Sequence, residues 1–370
     1  MQVKAAVLRE PTGAFQIEEL EVSEPRADEV LVRMEATGVC HTDLLAREVP
    51  PELFVAPIVY GHEGAGVVEQ VGADVHHVVP GDHVVLSFDS CGSCPSCTTD
   101  RPYGCYSFNA LNLKNLGIAP GRFDGTTAFT DLNGKPVGSH FFGQSSFASH
   151  SLVSARSAVK VSKDLPLDRL GPLGCGVQTG AGAILNTLDV QPGSSVVILG
   201  VGSLGLSAVM AAKVAGAATI IAVDKHQSRL DLAQRYGATH GVTGSLAEIG
   251  AEIMSITGAG ADYAFDTSGN AALVRTAFES LTFVGSLGMA GVGSPEMVFG
   301  YTTLITGRTV RGVVEGSSRT HEFIPHLAQL NADGRFPFDE LITFYDLDDI
   351  NDAVADSLSG KVVKPVVRFR

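Results

Sequence analysis

Val196-Val197-Ile198-Leu199-Gly200-Val201-Gly202-Ser203-Leu204-Gly205 passes from a β-branched apolar run straight into the spacing G-x-G-x-x-G. The first four residues suit a buried strand, and the Ala-rich stretch that follows suits a helix. Glycines at these three positions, Gly200, Gly202 and Gly205, permit a tight turn, let backbone amides approach a pyrophosphate, and allow a helix to pack closely on a strand. Taken alone, the spacing also fits a plain glycine turn between buried elements. Context decides between the two. The next apolar run, Thr219-Ile220-Ile221-Ala222-Val223, ends at Asp224, 19 residues beyond Gly205, where a carboxylate can hold the hydroxyls of an adenosine ribose. The segment from Ser194 to Ala212 carries no charge over 19 residues, a length that could span a membrane. The glycines divide it, so strand, turn and helix is the better reading.

Working outward, residues 178–314 alternate strands (195–199, 219–223, 240–242, 262–266, 284–289) with helical stretches near 203–215, 226–236, 245–257 and 270–280. That succession predicts a doubly wound parallel sheet with helices on both faces, a Rossmann NAD-binding domain. Residues 1 to about 160 read instead as short strands between Gly, Pro and Asp turns, with alternation visible in Glu29-Val30-Leu31-Val32-Arg33-Met34-Glu35. Such spacing predicts a small barrel or sandwich. After residue 315 come an amphipathic helix over His321 to Leu330, another near Leu347 to Ser359, and a closing strand, Val362 to Phe369, expected to return to the first domain. The fold class is α/β: a β-rich domain of residues 1–177 and 315–370, and a Rossmann domain of residues 178–314.

The chain has 370 residues, with 26 Lys and Arg against 40 Asp and Glu, a net charge of −14. Apolar residues are 45% and charged residues 18%, which favours a packed globular protein over a disordered one. The acidic balance and the lack of any Lys/Arg run exclude a nucleic-acid footprint, which needs a basic face. Lys4, Arg9 and Glu10 interrupt the N-terminal segment too early for a secretory signal, so a cytoplasmic protein without a membrane span is expected.

The six cysteines are too few for a disulfide scaffold in a chain of this size. Cys91, Cys94, Cys97 and Cys105 lie within fifteen residues, on a loop with Gly92, Pro95, Pro102 and Gly104. Four thiolates closed around zinc make a structural site with no vacancy. A second set is dispersed: Cys40-His41-Thr42-Asp43, Gly61-His62-Glu63-Gly64 and Gly174-Cys175-Gly176. Two thiolates and an imidazole, Cys40, Cys175 and His62, would leave a fourth zinc position for water or substrate. Each alone is ambiguous, because a single cysteine is more often a small core residue and His62 could simply satisfy a turn.

With these motifs in this order, the chain resembles the zinc-dependent medium-chain alcohol dehydrogenases over essentially its whole length. The resemblance implies a GroES-like catalytic domain interrupted by the Rossmann domain, with the active site in the cleft between them. It implies catalytic zinc on Cys40, His62 and Cys175, with Glu63 as an occasional fourth ligand and Asp43 accepting the other ring N–H of His62. Thr42 matches the position that takes the alcohol proton; its hydroxyl can donate and accept at once. Many relatives continue the path to a histidine where this chain has Leu45, which leaves the onward route open between the cofactor ribose, water and His41. His41 otherwise sits where the family contacts pyrophosphate. Thr179 matches a nicotinamide contact, and Lys364 a terminal pyrophosphate-binding cation.

Dehydrogenation needs an alkoxide, and zinc supplies the acidity. Asp224 would repel a 2′-phosphate by about 4 kcal/mol at ~4 Å and an effective dielectric near 20, which favours NAD over NADP. Lys225 and Arg229 could offset part of that, with Arg229 counted among the cofactor contacts. The segment His140-Phe141-Phe142-Gly143 matches a pocket wall, where Phe141 or Phe142 would meet a flat apolar substrate and the other belong to the core. The Cys-His-Thr-Asp-Leu opening, and Tyr106-Ser107-Phe108-Asn109 after the cysteine loop, resemble the aryl-alcohol (benzyl alcohol) dehydrogenase branch most, with allylic alcohols such as geraniol as further substrates. The expected partners are a small-molecule alcohol or aldehyde and a second copy of the chain, as dimer or tetramer. Two other readings stand beside this one: a formaldehyde dehydrogenase acting on a glutathione or mycothiol adduct, and a zinc- and nucleotide-binding protein without catalysis.

Overall fold

A computed structural model describes the chain except residues 49–53, 55, 56, 114–121 and 123, and except the side chains of residues 45–48. It divides into two compact units. One comprises Met1–Cys175, Arg319–Ala332 and Asp339–Arg370; the other comprises Gly176–Ser318 and Asp333–Phe338. The chain passes from one to the other at Cys175/Gly176, Ser318/Arg319, Ala332/Asp333 and Phe338/Asp339, where two crossings, 177/178 and 314/315, were expected.

The first unit is built on two sheets among the described residues. A five-stranded sheet runs in the order Ile58–Val59, Gln2–Leu8, Gln16–Val22, Phe129–Asp131, Pro136–Val137. In the seven-stranded sheet, Glu29–Gly38 is central: it pairs antiparallel with Gly64–Val71, His150–Ser154 and Lys364–Arg368. Central placement explains its composition, because nine of its ten residues are buried or half-buried and only Arg33 faces water. The closing strand does return to this unit, over Lys364–Arg368, with Val366 opposite Gly38. Two strands of this sheet were not expected from sequence, Ala158–Val161 and Ile342–Asp346, the second lying parallel to Lys364–Arg368. An apolar core of Leu20, Tyr60, Phe129, Phe147 and Leu152 fills the space beside the first sheet.

In the second unit six strands form one sheet, every pair parallel, in the order His240–Val242, Thr219–Val223, Ser195–Leu199, Ala261–Asp266, Leu281–Met289, Thr309–Gly312. Numbered along the chain this is 3-2-1-4-5-6, the dinucleotide-binding order whose switch point lies between Ser195–Leu199 and Ala261–Asp266. Helices Ser203–Ala215, Gln227–Tyr236, Leu246–Thr257 and Ala271–Glu279 connect successive strands. Leu246–Thr257 begins where the Ser245 hydroxyl accepts from Glu248 N and the Glu248 carboxylate accepts from Ser245 N, so both ends of the capping box are filled. No described helix is long and apolar enough to cross a membrane.

Candidate active site and zinc centres

Three separate elements of the first unit deliver the dispersed ligands. Cys40 lies just past the central strand Glu29–Gly38, at the head of the 3-10 turn His41–Glu48. His62 follows Ile58–Val59, and Cys175 ends the turn Gly171–Gly174. That turn runs hard against the sheet: a side chain on Gly174 would fall 2.0 Å from the Leu86 carbonyl, so only glycine lets Cys175 come in. The two sulfurs and a ring nitrogen of His62 lie within 4.8 Å of one another.

The ring orientation is set from behind. His62 Nδ1 lies 2.7 Å from Asp43 Oδ1, which also accepts from Gly61 N at 3.1 Å, while Asp43 Oδ2 accepts from Cys40 N at 2.9 Å. One carboxylate therefore ties two ligand loops together and leaves His62 Nε2 pointing forward. That nitrogen is fully buried without a hydrogen-bond partner among the described residues, which suits a metal ligand and little else. The neighbouring Cys175 side chain, then the His62 imidazole, hold the Cys40 thiol well below its usual range against the effect of burial. Burial alone would lower His62, but the Asp43 carboxylate and Cys40 outweigh it and hold the imidazole high. A thiolate shell of this kind gathers a divalent cation, which then takes a neutral imidazole.

Glu63 is fully buried in the same unit, and its carboxylate occupies the space a side chain on Gly38 would need. Lys364 is 4% exposed, pairs closely with Glu63 Oε2, and donates to Val39 O at 3.3 Å. The sequence expectation for Lys364, an open cation facing a pyrophosphate, needs correction: the ammonium is enclosed, because the buried Glu63 carboxylate requires a partner of opposite charge. Thr42 is half-buried with Oγ1 3.7 Å from Cys40 Sγ, so its hydroxyl stands beside the ligand set. His41 is exposed. The Leu45 side chain lies outside the described residues.

Phe142 stacks on His62 with ring centroids 4.7 Å apart and 27° between planes, and Phe141 meets the same ring edge-on at 5.4 Å. Both phenylalanines are buried, at 3% and 6%, where the sequence led to the expectation of one core residue and one facing substrate. Packing against a ligand imidazole accounts for both. Sequence reasoning missed Gln144, whose Nε2 donates to His62 O at 2.9 Å and whose Oε1 accepts from Gly64 N at 3.3 Å. Nothing in its neighbours signals that role, which comes from a pairing 82 residues away in the chain.

The four-cysteine loop closes on itself. Cys94 and Cys97 sulfurs are 3.5 Å apart and Cys91 and Cys97 sulfurs 3.9 Å, around the ~3.8 Å edge of a tetrahedron with ~2.3 Å zinc–sulfur bonds. Backbone amides of Cys94, Cys91, Tyr106 and Ser107 point at Cys91, Cys105, Cys94 and Cys105 sulfurs, respectively. The amides of Ser93 and Cys94 bring the Cys91 thiol down to about 6, while burial pushes Cys97 up to about 12. Such amide-to-sulfur bonds stabilise thiolates, and no disulfide joins the six cysteines.

In the second unit, Gly200 adopts φ +80° at the end of strand Ser195–Leu199. A side chain at Gly205 would strike the Gly200 carbonyl at 1.9 Å, whereas one at Gly202 would meet nothing within 4 Å. The first glycine turns the chain, the third lets helix and strand touch, and the second leaves an open face for a phosphate. Asp224 follows the neighbouring strand; Oδ2 accepts from Val201 N at 2.9 Å and Oδ1 from His226 N at 2.9 Å. Arg229 feels the Asp224 charge, though burial, the larger influence, lowers its pKa. Thr179 is half-buried on the helix Gly176–Gly182.

Comparison with known proteins matches residues 26–163 to the alcohol dehydrogenase GroES-like domain and residues 203–331 to the zinc-binding dehydrogenase family. The chain is 41% identical to geraniol dehydrogenase of Castellaniella defragrans over 373 residues, covering 100% of this chain and 98% of that one. The chain belongs to the zinc-dependent medium-chain alcohol dehydrogenases. As an alcohol dehydrogenase it is similar to the crystal structure of benzyl alcohol dehydrogenase from Acinetobacter calcoaceticus, with TM-score 0.93, 41% identity and full coverage of both chains. It is 35% identical to S-(hydroxymethyl)glutathione dehydrogenase of Paracoccus denitrificans, again over the whole of both. In this dehydrogenase Cys91, Cys94, Cys97 and Cys105 form the structural zinc site and Cys40, His62 and Cys175 the catalytic one. The cofactor expected of the family is NAD.

Proposed function

We propose that this alcohol dehydrogenase interconverts a primary aromatic or allylic alcohol and its aldehyde, using NAD. The observation that carries the reading is the phenyl wall of Phe141 and Phe142 on the ligand ring of His62. A flat conjugated substrate gains offset or edge-to-face contacts from such a wall, worth ~0.5–1.5 kcal/mol per ring pair, that a short aliphatic alcohol cannot make. Relatives named for geraniol and benzyl alcohol support the same class.

When bound, zinc supplies Lewis acidity to the alcohol oxygen and NAD accepts the hydride. Cys40, His62 and Cys175 would hold the zinc, and Asp43 keeps His62 Nε2 aimed. Thr42 takes the alcohol proton on Oγ1 and passes on its own. Asp224, fixed by Val201 N and His226 N, selects NAD over NADP by repelling a 2′-phosphate. His41, Thr179 and Arg229 complete the cofactor contacts in this reading.

A second copy of the chain is the proposed partner. Thr309–Gly312 is an edge strand of the parallel sheet, and Phe283, Val284, Tyr301 and Ile305 in the same unit are each more than 60% exposed, an apolar patch that association would cover. Free, clustered thiols suit a reducing, cytoplasmic setting.

The test is initial-rate assay of benzyl, cinnamyl, geranyl and short aliphatic alcohols with NAD and with NADP, each with and without glutathione. Higher kcat/KM for the conjugated alcohols with NAD, independent of thiol, is expected. A rate that appears only with formaldehyde and thiol would replace this reading with the adduct dehydrogenase.

A further inference from the structure

A buried ion cluster lies at the head of the phenyl wall, and neither zinc site nor the proton path uses it. Glu29 opens the central strand at 5% exposure, and Arg122 is 8% exposed. Arg122 clasps that carboxylate at two points, Nε on Oε1 and Nη2 on Oε2 at 3.0 Å, and reaches on to Thr127 O at 2.9 Å and Ser23 Oγ at 3.0 Å. His140, 8% exposed, holds Nε2 3.8 Å from the same Glu29 Oε1. Its Nδ1 is 2.8 Å from Ser139 Oγ, which accepts from Ala128 N at 2.9 Å.

His140 begins a segment that makes backbone bonds of its own, Gly143 N to His140 O at 2.9 Å and Gln144 N to Phe141 O at 3.0 Å, but in a strained conformation. His140, Phe142 and Ser145 have φ of +64°, +49° and +63°, the left-handed region that side chains disfavour, and Gly143 has +70°. Conformations of this kind persist only where the surroundings over-determine them. At the far end the restraint is visible: Phe141 N donates to Ser145 Oγ at 3.1 Å, Ser145 Oγ donates to Val59 O at 2.6 Å, and Gln144 bridges His62 and Gly64. At the near end, the side-chain restraint is His140 against Ser139 and the Glu29–Arg122 clasp.

We propose that Arg122 and Glu29 are positioning residues: through His140 they set how Phe141 and Phe142 lie on His62, and so fix the preference for flat conjugated alcohols. The inference rests on the substrate reading above and adds to it the device that holds the wall. A buried ion pair is seldom a better source of stability than an apolar pair of the same size, whereas its two-point geometry specifies position closely. Arg122 donates to Glu29, Thr127 and Ser23, none of which is a metal ligand, so its effect travels through the segment it clamps.

The experiment uses the full-length zinc-loaded enzyme with NAD, comparing Arg122→Lys, Glu29→Gln and the charge-free pair Glu29→Gln/Arg122→Met on benzyl alcohol, geraniol and ethanol. Zinc content and thermal unfolding are read on the same preparations. Expected are two zincs per chain, kcat changed less than about threefold, KM for benzyl alcohol raised about tenfold, and a similar fall in the benzyl-to-ethanol ratio of kcat/KM, since small misplacements of a binding wall cost that much or more. Should a single variant fail to fold, the charge-free pair supplies the reading, because it buries no unpaired charge. A charge-free variant with wild-type KM and specificity ratio, whatever its unfolding temperature, overturns the positioning role and leaves the substrate reading intact. A wild-type enzyme that itself shows no preference for the conjugated alcohols overturns both.

Discussion

Asp43 Oδ1 sits 2.7 Å from His62 Nδ1, with both residues fully buried, so the tautomer that presents His62 Nε2 to the metal is enforced by one carboxylate. An amide at this position would keep the shape and lose the charge. Asp43→Asn is expected to weaken catalytic zinc binding about 10–100-fold, the usual effect of removing such a partner. Competition against a chelator of known affinity measures it, and unchanged affinity would contradict the role.

The two thiolate sets should respond differently to loss of one sulfur. Cys175→Ala removes a ligand from the open site and should abolish NADH formation while leaving the unfolding temperature near wild type. Cys94→Ala opens the closed set, whose Cys94 sulfur lies 3.5 Å from Cys97. It should lower stability first and activity only as a consequence, because a structural zinc contributes folding energy directly. Thermal unfolding and initial rates on both variants distinguish the outcomes; equal loss of both properties in both would contradict two distinct zincs.

Much of the architecture was legible because buried parallel strands read as unbroken apolar runs. Ser195–Leu199 and Thr219–Val223 show this plainly. The four-cysteine ligands were legible from their spacing, whereas Cys40, His62 and Cys175, each ambiguous alone, were legible through the resemblance to the family. Gly176–Gly182 was missed as a helix because three of its seven residues are glycine, poor helix formers. Its packing explains them: a side chain at Gly180 would strike the Leu204 carbonyl at 2.1 Å. Ile342–Asp346 hid because only five residues separate a turn from the next helix, and its pairing with Lys364–Arg368 gives it order that no local pattern shows. The Lys364–Glu63 and Arg122–Glu29 pairs are long-range, so neither partner marks the other in sequence.

Asp224 offers a test of cofactor choice. Its removal relieves a repulsion of up to about 4 kcal/mol on a 2′-phosphate. Asp224→Ser, which keeps a small acceptor near Val201 N, should raise the NADP-to-NAD ratio of kcat/KM by at least about tenfold, some 1.4 kcal/mol. Steady-state kinetics with each cofactor checks it, and an unmoved ratio would show that other groups set the preference.

Asp82 links stability to pH. Burial would raise its carboxyl, but the Lys160 ammonium 2.7 Å away, Val79 N at 3.0 Å and Lys163 hold it below the usual carboxylate range. Because the folded value is the lower one, the contribution is present above the ordinary carboxyl pKa, about 4, and fades as pH falls through the folded value. Asp82→Asn should therefore unfold at lower temperature than wild type at pH 7, with the gap closing in acid. A gap that is constant with pH would contradict the assignment.

The most direct measurement is removal and return of the metal held by Cys40, His62 and Cys175. Two zincs per chain are predicted; a soft chelator should strip the open site first, NADH formation from benzyl alcohol should fall in proportion, and added zinc should restore it without refolding. Full activity after that zinc is gone, or a protein that binds only the four-cysteine ion yet still turns over, would contradict the account.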